Sequence, residues 1–205
     1  KKVARIVKSY TKKYKVIILS SAMSGTTNKL INMSKKISNN FADNEYDTLV
    51  SAGEQISCSL LAGQLIENGI QARSLMAWQI PIITEGQHKY SRIKYIYKKR
   101  ILKFLNAGVV PVIAGFQGIN KDLKITTIGR GGTDASAIMF AKFFKADRCV
   151  IYTDVEGVFT TDPNKLKKAK KIKNISYEEM LEMASLGSKV MQPHSIQDAR
   201  LNRIN

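Results

Sequence analysis

Cysteine is scarce in this chain, with two in 205 residues, and Cys58 and Cys149 stand in no C-x-x-C spacing and beside no histidine. That excludes a disulfide framework and a zinc ribbon, and leaves both as small buried hydrophobes of a reducing compartment. Histidine is equally sparse: His88 and His194 lie far apart with no metal-ligand partner at useful spacing, and both are assigned to structure or surface. The single tryptophan, Trp78, is expected in the core. No apolar run approaches the roughly 20 residues of a membrane-spanning helix. The opening KKVARIVKSYTKKYK lacks the apolar segment and small-residue cleavage site of a secretory signal, so a cytoplasmic protein with no membrane partner is expected. Acidic residues are also few, 16 against 33 Lys plus Arg, for a net charge of +17. Such a charge is compatible with nucleic-acid binding. The lysines, however, scatter over segments near Lys12, Lys94 and Lys165, without zinc-finger spacing or an aromatic RNP-like strand. They read as solvated faces of a basic protein, whose field would also favour an anionic small substrate.

What is present suits one folded domain. Hydrophobic residues make up 44% and charged residues 24%, above the range of disordered chains, and the length supports one substantial core. Helical and extended patterns alternate. Val3, Ile6, Val7 and Tyr10 mark an amphipathic helix, and KVIILS is a doubly buried strand. SAMSGTTN breaks it, and a helix resumes from about Asn28. TLVSAG reads as a short strand entering the helix GEQISCSLLAGQLIENG, which Asn68-Gly69 ends with a left-handed cap. ARSLMA is a strand; after a loop with Pro81, SRIKYIYKKRILKFLNAG reads as a helix capped by Ser91. VVPVIAGFQG is a strand whose Pro111 belongs at an edge or a strand start, and LKITTIG is another. DASAIMFAKFFKAD is helical, RCVIYT extended, DVEGVFTTDP a loop. SYEEMLEMASLG is a helix with Ser176 and Glu179 in capping-box spacing, and a last helix starts near Pro193.

This alternation predicts an α/β fold, a three-layer sandwich of a mainly parallel open sheet with helices on both faces. Ligands of such sheets bind beyond the carboxyl ends of the strands, which singles out SAMSGTTN, SAGE, GRGGTD and TDVEGVFTTDP. In IGRGGTDASA, Gly129, Gly131 and Gly132 permit positive φ and close approach, and Thr133 and Asp134 fall at a helix start that favours phosphate. Arg130 is a planar bidentate donor suited to carboxylate or phosphate. A plain tight turn with an exposed arginine suits the same residues. Glu54, read at a helix start, either compensates the dipole or holds a substrate ammonium, in which case Glu54 and Arg130 recognise an amino acid by both ends. Thr153 and Asp154 end a strand at the ligand edge, with Glu156 and Asp162 flanking Gly157.

The set SAMSGTTNKL, SAGEQIS, AWQIPIIT, GRGGTDASA, YTDVEGVFTTDP and ISYEEMLEMASLGSKVMQPHS, in this order and over nearly the whole chain, resembles the catalytic domain of aspartokinases of the amino-acid kinase superfamily. The resemblance implies transfer of the γ-phosphoryl group of ATP, with Mg²⁺, to the side-chain carboxylate of L-aspartate. That is the first step toward lysine or diaminopimelate, threonine and methionine. It implies that Arg130 binds the α-carboxylate and Glu54 the amino group, with Thr26 and Thr27 lining the pocket. Asp134 would organise the transfer point, with Gly131, Gly132 and Thr133 beside the phosphates. Thr153, Asp154, Phe159, Thr160, Thr161, Asp162, Pro163, Asn164 and Lys189 would contact the nucleotide. The family has tyrosine at Phe159 and commonly arginine at Asn164. The resemblance further implies a homo-oligomeric complete protein. Residues 1–205 would then be a catalytic domain without the family's first strand, whose lysine-bearing KFGGTS-type loop meets the phosphate, and without the C-terminal ACT domains. Normal turnover is not expected of it as given. Another amino-acid kinase, acting on glutamate, acetylglutamate or a uridylate, stays open as an alternative, as does a non-catalytic basic binding protein.

Overall fold

A computed structural model describes residues 2–129, 131–153, 155–188 and 190–205. Residues 1–136 and 137–205 form two compact units. The first contains α1 (Lys2–Thr11), β1 (Ile18–Ser20), α2 (Thr26–Ile37), α3 (Asp43–Glu67), β2 (Ala72–Leu75), β3 (Ile82–Glu85) and β4 (Arg92–Ile96). It continues with α4 (Lys98–Asn106), β5 (Val110–Ala114), β6 (Gln117–Ile119) and β7 (Ile125–Thr127). The boundary falls inside α5 (Gly132–Phe144), and the second unit holds α6 (Tyr177–Ser185) and α7 (Pro193–Leu201).

Strand β5 is the spine of the first unit. It lies between β1 and β2 and pairs with both in parallel, Val112 opposite Ile18 and Ser74. All of β5 is buried, as a parallel strand covered on two faces must be. Val110, Val112 and Ala114 point to one side, where they join Ala4 and Val7 of α1 and Cys58, Ala62 and Leu65 of α3. Pro111 and Ile113 alternate to the other side, and α4 also packs on β5. Pro111 stands near the strand start, so its missing N–H costs the ladder little. Helix α3 ends where Gly69 turns left-handed (φ 76) and Ile70 N–H returns to the Leu65 carbonyl, 3.0 Å away.

Beyond β5 the chain turns a corner through Gly115 and Phe116 (φ 66) into a second, mixed sheet of order β4-β3-β6-β7. Here β3–β4 and β6–β7 are antiparallel and β3–β6 is parallel. Gly118 is required at this crossing, because a Cβ would stand 2.8 Å from the Ile82 carbonyl oxygen. In the second unit, Met180, Ala184 and Ile196 form a small core with Val158, Ile175 and Leu181 around them. The capping box at Ser176 and Glu179 is present with both hydrogen bonds.

Four local expectations are corrected. TLVSAG is not a strand but part of the long helix α3. Its β-branched residues are outweighed by burial of Val50 and Ser51 and by the acidic first turn of Asp43 and Glu45. SRIKYIY is strand β4 rather than the opening of a helix: Ile93 and Ile96 are buried against exposed Arg92 and Lys94. Ser91 does not cap a helix but donates its hydroxyl to the Gln87 carbonyl at 2.8 Å. No strand forms among the described residues of RCVIYT, where Cys149 N–H donates to the Asn205 carbonyl (2.7 Å) and Val150 and Tyr152 are exposed. Strand propensity yields there to context. Trp78 is 46% exposed and not a core residue, in a turn between β2 and β3 where a large ring finds no enclosing layer.

Candidate active site

In the first unit, the loops leaving β1 and β5 emerge at the same end of the parallel sheet, tied by Gly115 N–H donating to the Ser20 carbonyl at 3.1 Å. Helix α3 lies across this edge. Gly53 abuts the loop after β1 so closely that a Cβ would come 2.9 Å from Ala22 Cβ and 3.4 Å from Thr26 Cγ2. One turn on, the Ser57 hydroxyl donates to the Ser21 carbonyl at 2.5 Å and lies 3.0 Å from the Ser20 hydroxyl. Between them, Glu54 Oε1 accepts from Ala22 N–H at 3.0 Å.

Glu54 is the chemical centre of this arrangement. It is 3% exposed, and its Oε2 is buried with no hydrogen-bond partner among the described residues. Burial pushes its carboxyl up to about 7, the Ala22 N–H pulling weakly the other way. A carboxylate this desolvated gains most from a cation brought to its bare oxygen. Because α3 begins at Asp43, Glu54 sits in mid-helix and not in the first turn. Dipole compensation therefore does not account for it.

Thr26 and Thr27 open α2, whose N-cap Gly25 is left-handed (φ 78) and offers no side-chain cap. The glycine turn meets the expectation at two of its three glycines: Gly129 (φ 84) and Gly131 (φ 67) are left-handed, whereas Gly132 opens α5 without a positive φ and is needed for close approach, a Cβ there standing 2.7 Å from Phe116 Cδ2; its N–H donates to the Gly129 carbonyl at 3.0 Å. Thr133 and Asp134 lie in the first turn of α5. A Cβ on Gly115 would meet Thr133 Cγ2 at 2.7 Å, so the helix start rests directly on the carboxyl end of β5. Glu54, Thr26, Gly132 and Thr133 are thus gathered around the Ser20–Gly115 edge. Arg130 lies outside the described residues.

In the second unit, residues 158–160 and 170–172 close a surface loop: Phe159 bridges Lys171, Thr160 N–H donates to the Lys170 carbonyl, and Ile172 N–H to that of Val158. Phe159 is half-buried, while Thr153, Thr160, Thr161, Asp162, Pro163 and Asn164 are exposed. The Asp162 carboxylate accepts Asn164 N–H at 2.9 Å, and the Thr160 hydroxyl accepts Lys170 N–H at 3.1 Å, so both shape the loop itself. Asp154 and Lys189 lie outside the described residues. Among the described residues no three His, Cys, Asp or Glu gather as a metal-holding group, and no helix is long and apolar enough to cross a membrane.

The model of the Amino acid kinase family matches residues 1–205. The chain belongs to the amino acid kinase family. This amino acid kinase is 47% identical over 196 residues to the aspartokinase of Geobacillus stearothermophilus, covering 96% of the chain and 48% of that protein. Among solved structures it is similar to aspartate kinase from Synechocystis, with a TM-score of 0.84 and 38% identity over 98% of the chain and 33% of that one. It is also similar to E. coli aspartokinase III in complex with aspartate and ADP, with a TM-score of 0.87 and 26% identity over 98% of the chain and 56% of that one. The chain spans about half the length of the curated relatives it matches.

The sequence reading missed a buried carboxylate in this amino acid kinase. Asp47 is fully buried and accepts from Thr127, Lys89 and His88. His88, assigned to structure or surface, is structural. A hint was available in the periodicity, since Asp47, Ser51 and Glu54 share one helical stripe, but only once α3 is known to be unbroken.

Proposed function

We propose that this amino acid kinase is the catalytic domain of an aspartate kinase, transferring the γ-phosphoryl group of ATP to the side-chain carboxylate of L-aspartate. The observation that carries this reading is Glu54: a buried carboxylate with one bare oxygen, at the sheet edge where ligands of open α/β sheets bind. An α-ammonium would supply the missing donor, and ionisation of Glu54 would be restored by the incoming positive charge. Arg130 is assigned to the α-carboxylate, a pairing suited to a planar two-pronged donor. Thr26 and Thr27 line the amino-acid side.

The acceptor carboxylate is already ionised near neutral pH, so no strong general base is required. One of its oxygens forms a bond to the γ-phosphorus as the bond from that phosphorus to the β–γ bridging oxygen breaks, and ADP departs. The protein's part is alignment and charge neutralisation. Gly131, Gly132 and Thr133 are assigned to the phosphates, with the positive end of α5 behind them. Asp134 organises the charged groups, and Thr153, Asp154, Phe159 to Asn164 and Lys189 take the nucleotide. Mg²⁺ fits a donor set with few protein carboxylates, because the ion would bind chiefly through phosphate oxygens and water; Asp134 would help hold it, and the ion would supply neutralisation of phosphate charge. A homo-oligomer in the cytoplasm completes the reading.

The test is a calorimetric panel of L-aspartate, L-glutamate, N-acetyl-L-glutamate and UMP in the presence of ADP, with aspartyl phosphate trapped as hydroxamate in the full-length protein. L-Aspartate should bind best, and Glu54→Ala should weaken it at least tenfold. Preference for another member of the panel would overturn the assignment.

A further inference from the structure

We infer that Asp47 is a positioning residue for amino-acid recognition, holding in shape the glycine turn that contains Arg130; the inference rests on the substrate reading above. Asp47 is 0% exposed, and its carboxylate is held by donors from the surroundings of that turn. Oδ1 accepts from the Thr127 hydroxyl at 2.6 Å and Oδ2 from Thr127 N–H at 3.1 Å. Lys89 N–H lies 3.1 and 3.0 Å from the two oxygens, and His88 Nδ1 lies 2.7 Å from Oδ2. A carboxylate is costly to bury unless its oxygens are satisfied, and these donors satisfy both.

The donors belong to two segments that wall the turn. Thr127 ends β7, two residues before Gly129, and its carbonyl accepts Ser91 N–H at 3.0 Å. Lys89 forms the opposite wall: its carbonyl oxygen is 3.0 Å from where a Cβ on Gly129 would stand. Lys89 is itself left-handed (φ 69), a conformation a non-glycine residue keeps only when its surroundings impose it. Its ammonium pairs with Asp43 and sits 4.5 Å from the Tyr46 ring centroid, so the start of α3 grips it again. Farther along the turn, Ile128 N–H donates to the Phe116 carbonyl at 3.0 Å.

Asp47 and Glu54 lie on one stripe of α3 with Ser51 between them, whose carbonyl accepts from the buried Gln117 amide at 3.1 Å. A single rigid helix thereby sets both the carboxylate facing the ammonium and the turn assigned to the α-carboxylate. A carboxylate that served stability alone would leave L-aspartate affinity unchanged in a folded variant. A positioning residue loosens the turn and weakens the ligand the turn holds.

The test compares the protein with Asp47→Asn, Thr127→Val and Thr127→Ser, by hydrogen exchange of peptides spanning 124–133 and by calorimetry with L-aspartate. Asp47→Asn turns an amide NH₂ toward N–H donors, while Thr127→Val removes one donor and keeps the charge and the bonds to Lys89 and His88. Both should speed exchange across the turn at least tenfold and leave β5 peptides unchanged. Both should weaken L-aspartate about tenfold, and Thr127→Ser should behave as the parent. If Asp47→Asn does not fold, Thr127→Val decides by the same criteria. Parent-like exchange in the turn overturns the inference, as does parent-like L-aspartate affinity in a variant whose turn exchanges faster. The exchange measurement uses no ligand, so failure of the parent protein to bind aspartate would count against the proposed function alone.

Discussion

Replacing Glu54 with glutamine should stabilise the protein, increasingly so as the pH rises above about 4.5. Burial places the folded-state pKa at about 7, against an ordinary value of 4.5. The difference, 7 − 4.5 = 2.5, corresponds to about 3 kcal/mol at 1.36 kcal/mol per unit. The sign follows from which state holds the proton. Below about pH 4.5 both states are protonated and Glu54 adds nothing. Between about 4.5 and 7 the unfolded chain releases its proton while the native chain keeps it, so stability falls as pH rises. Above about 7 the whole penalty is present. Glutamine cannot ionise, and its carbonyl oxygen can still accept Ala22 N–H. The stability gap between Glu54→Gln and the parent should therefore open from about 1 kcal/mol at pH 5 to about 3 kcal/mol at pH 8, the latter roughly 6–12 °C in melting temperature for a chain this long. Urea titrations at pH 5, 6, 7 and 8, followed by the fluorescence of the single Trp78, report on the unit that contains Glu54. Saturating L-aspartate should reverse the trend in the parent protein, whose ionised Glu54 then has a partner. A gap that stays flat from pH 5 to pH 8 would refute the claim that desolvation governs this carboxyl.

Two further substitutions test the frame of the site. Gly115→Ala should cost about 1–3 kcal/mol through overpacking, because its Cβ would meet Thr133 Cγ2 at 2.7 Å; thermal melts should show Thr133→Ser recovering part of the loss. Ser176→Ala removes a capping box with both hydrogen bonds formed, and should lower stability by about 1 kcal/mol in denaturant titrations that follow the second unit.

How far the sequence could be read depended on the range of the interaction. Positions governed by local chemistry were readable: the Asn68-Gly69 helix stop, the Ser176 box, Pro193 at the first turn of α7 and the left-handed glycines around residue 130 all follow from backbone rules. The parallel core was readable too, since continuous apolar runs such as Val110–Ala114 have few alternatives. Thr48–Gly53 was misread because strand propensity is weak beside the burial of one face of a helix. Arg92–Ile96 was misread because its apolar residues fit a helical stripe as well as a strand that pairs with β3. Glu54 was picked out, but its burial, its bare oxygen and its hydrogen bond from Ala22 depend on a chain segment remote in sequence. Asp47 was hidden for the same reason: an acidic residue near a helix start looks ordinary until Thr127 and Lys89 arrive.

The unbroken run of α3 also turns residue spacing into a ruler. Each residue of an α-helix advances it by about 1.5 Å and rotates it by roughly 100°. Adding or deleting one position between Asp47 and Glu54 would swing one carboxylate off the face it shares with the other, whichever amino acid were involved. Side chains on the exposed side of that stretch can drift over time, whereas Gly53 and the length cannot; relatives that insert residues should do so in connecting loops, such as the one around Gln87, and leave this count alone.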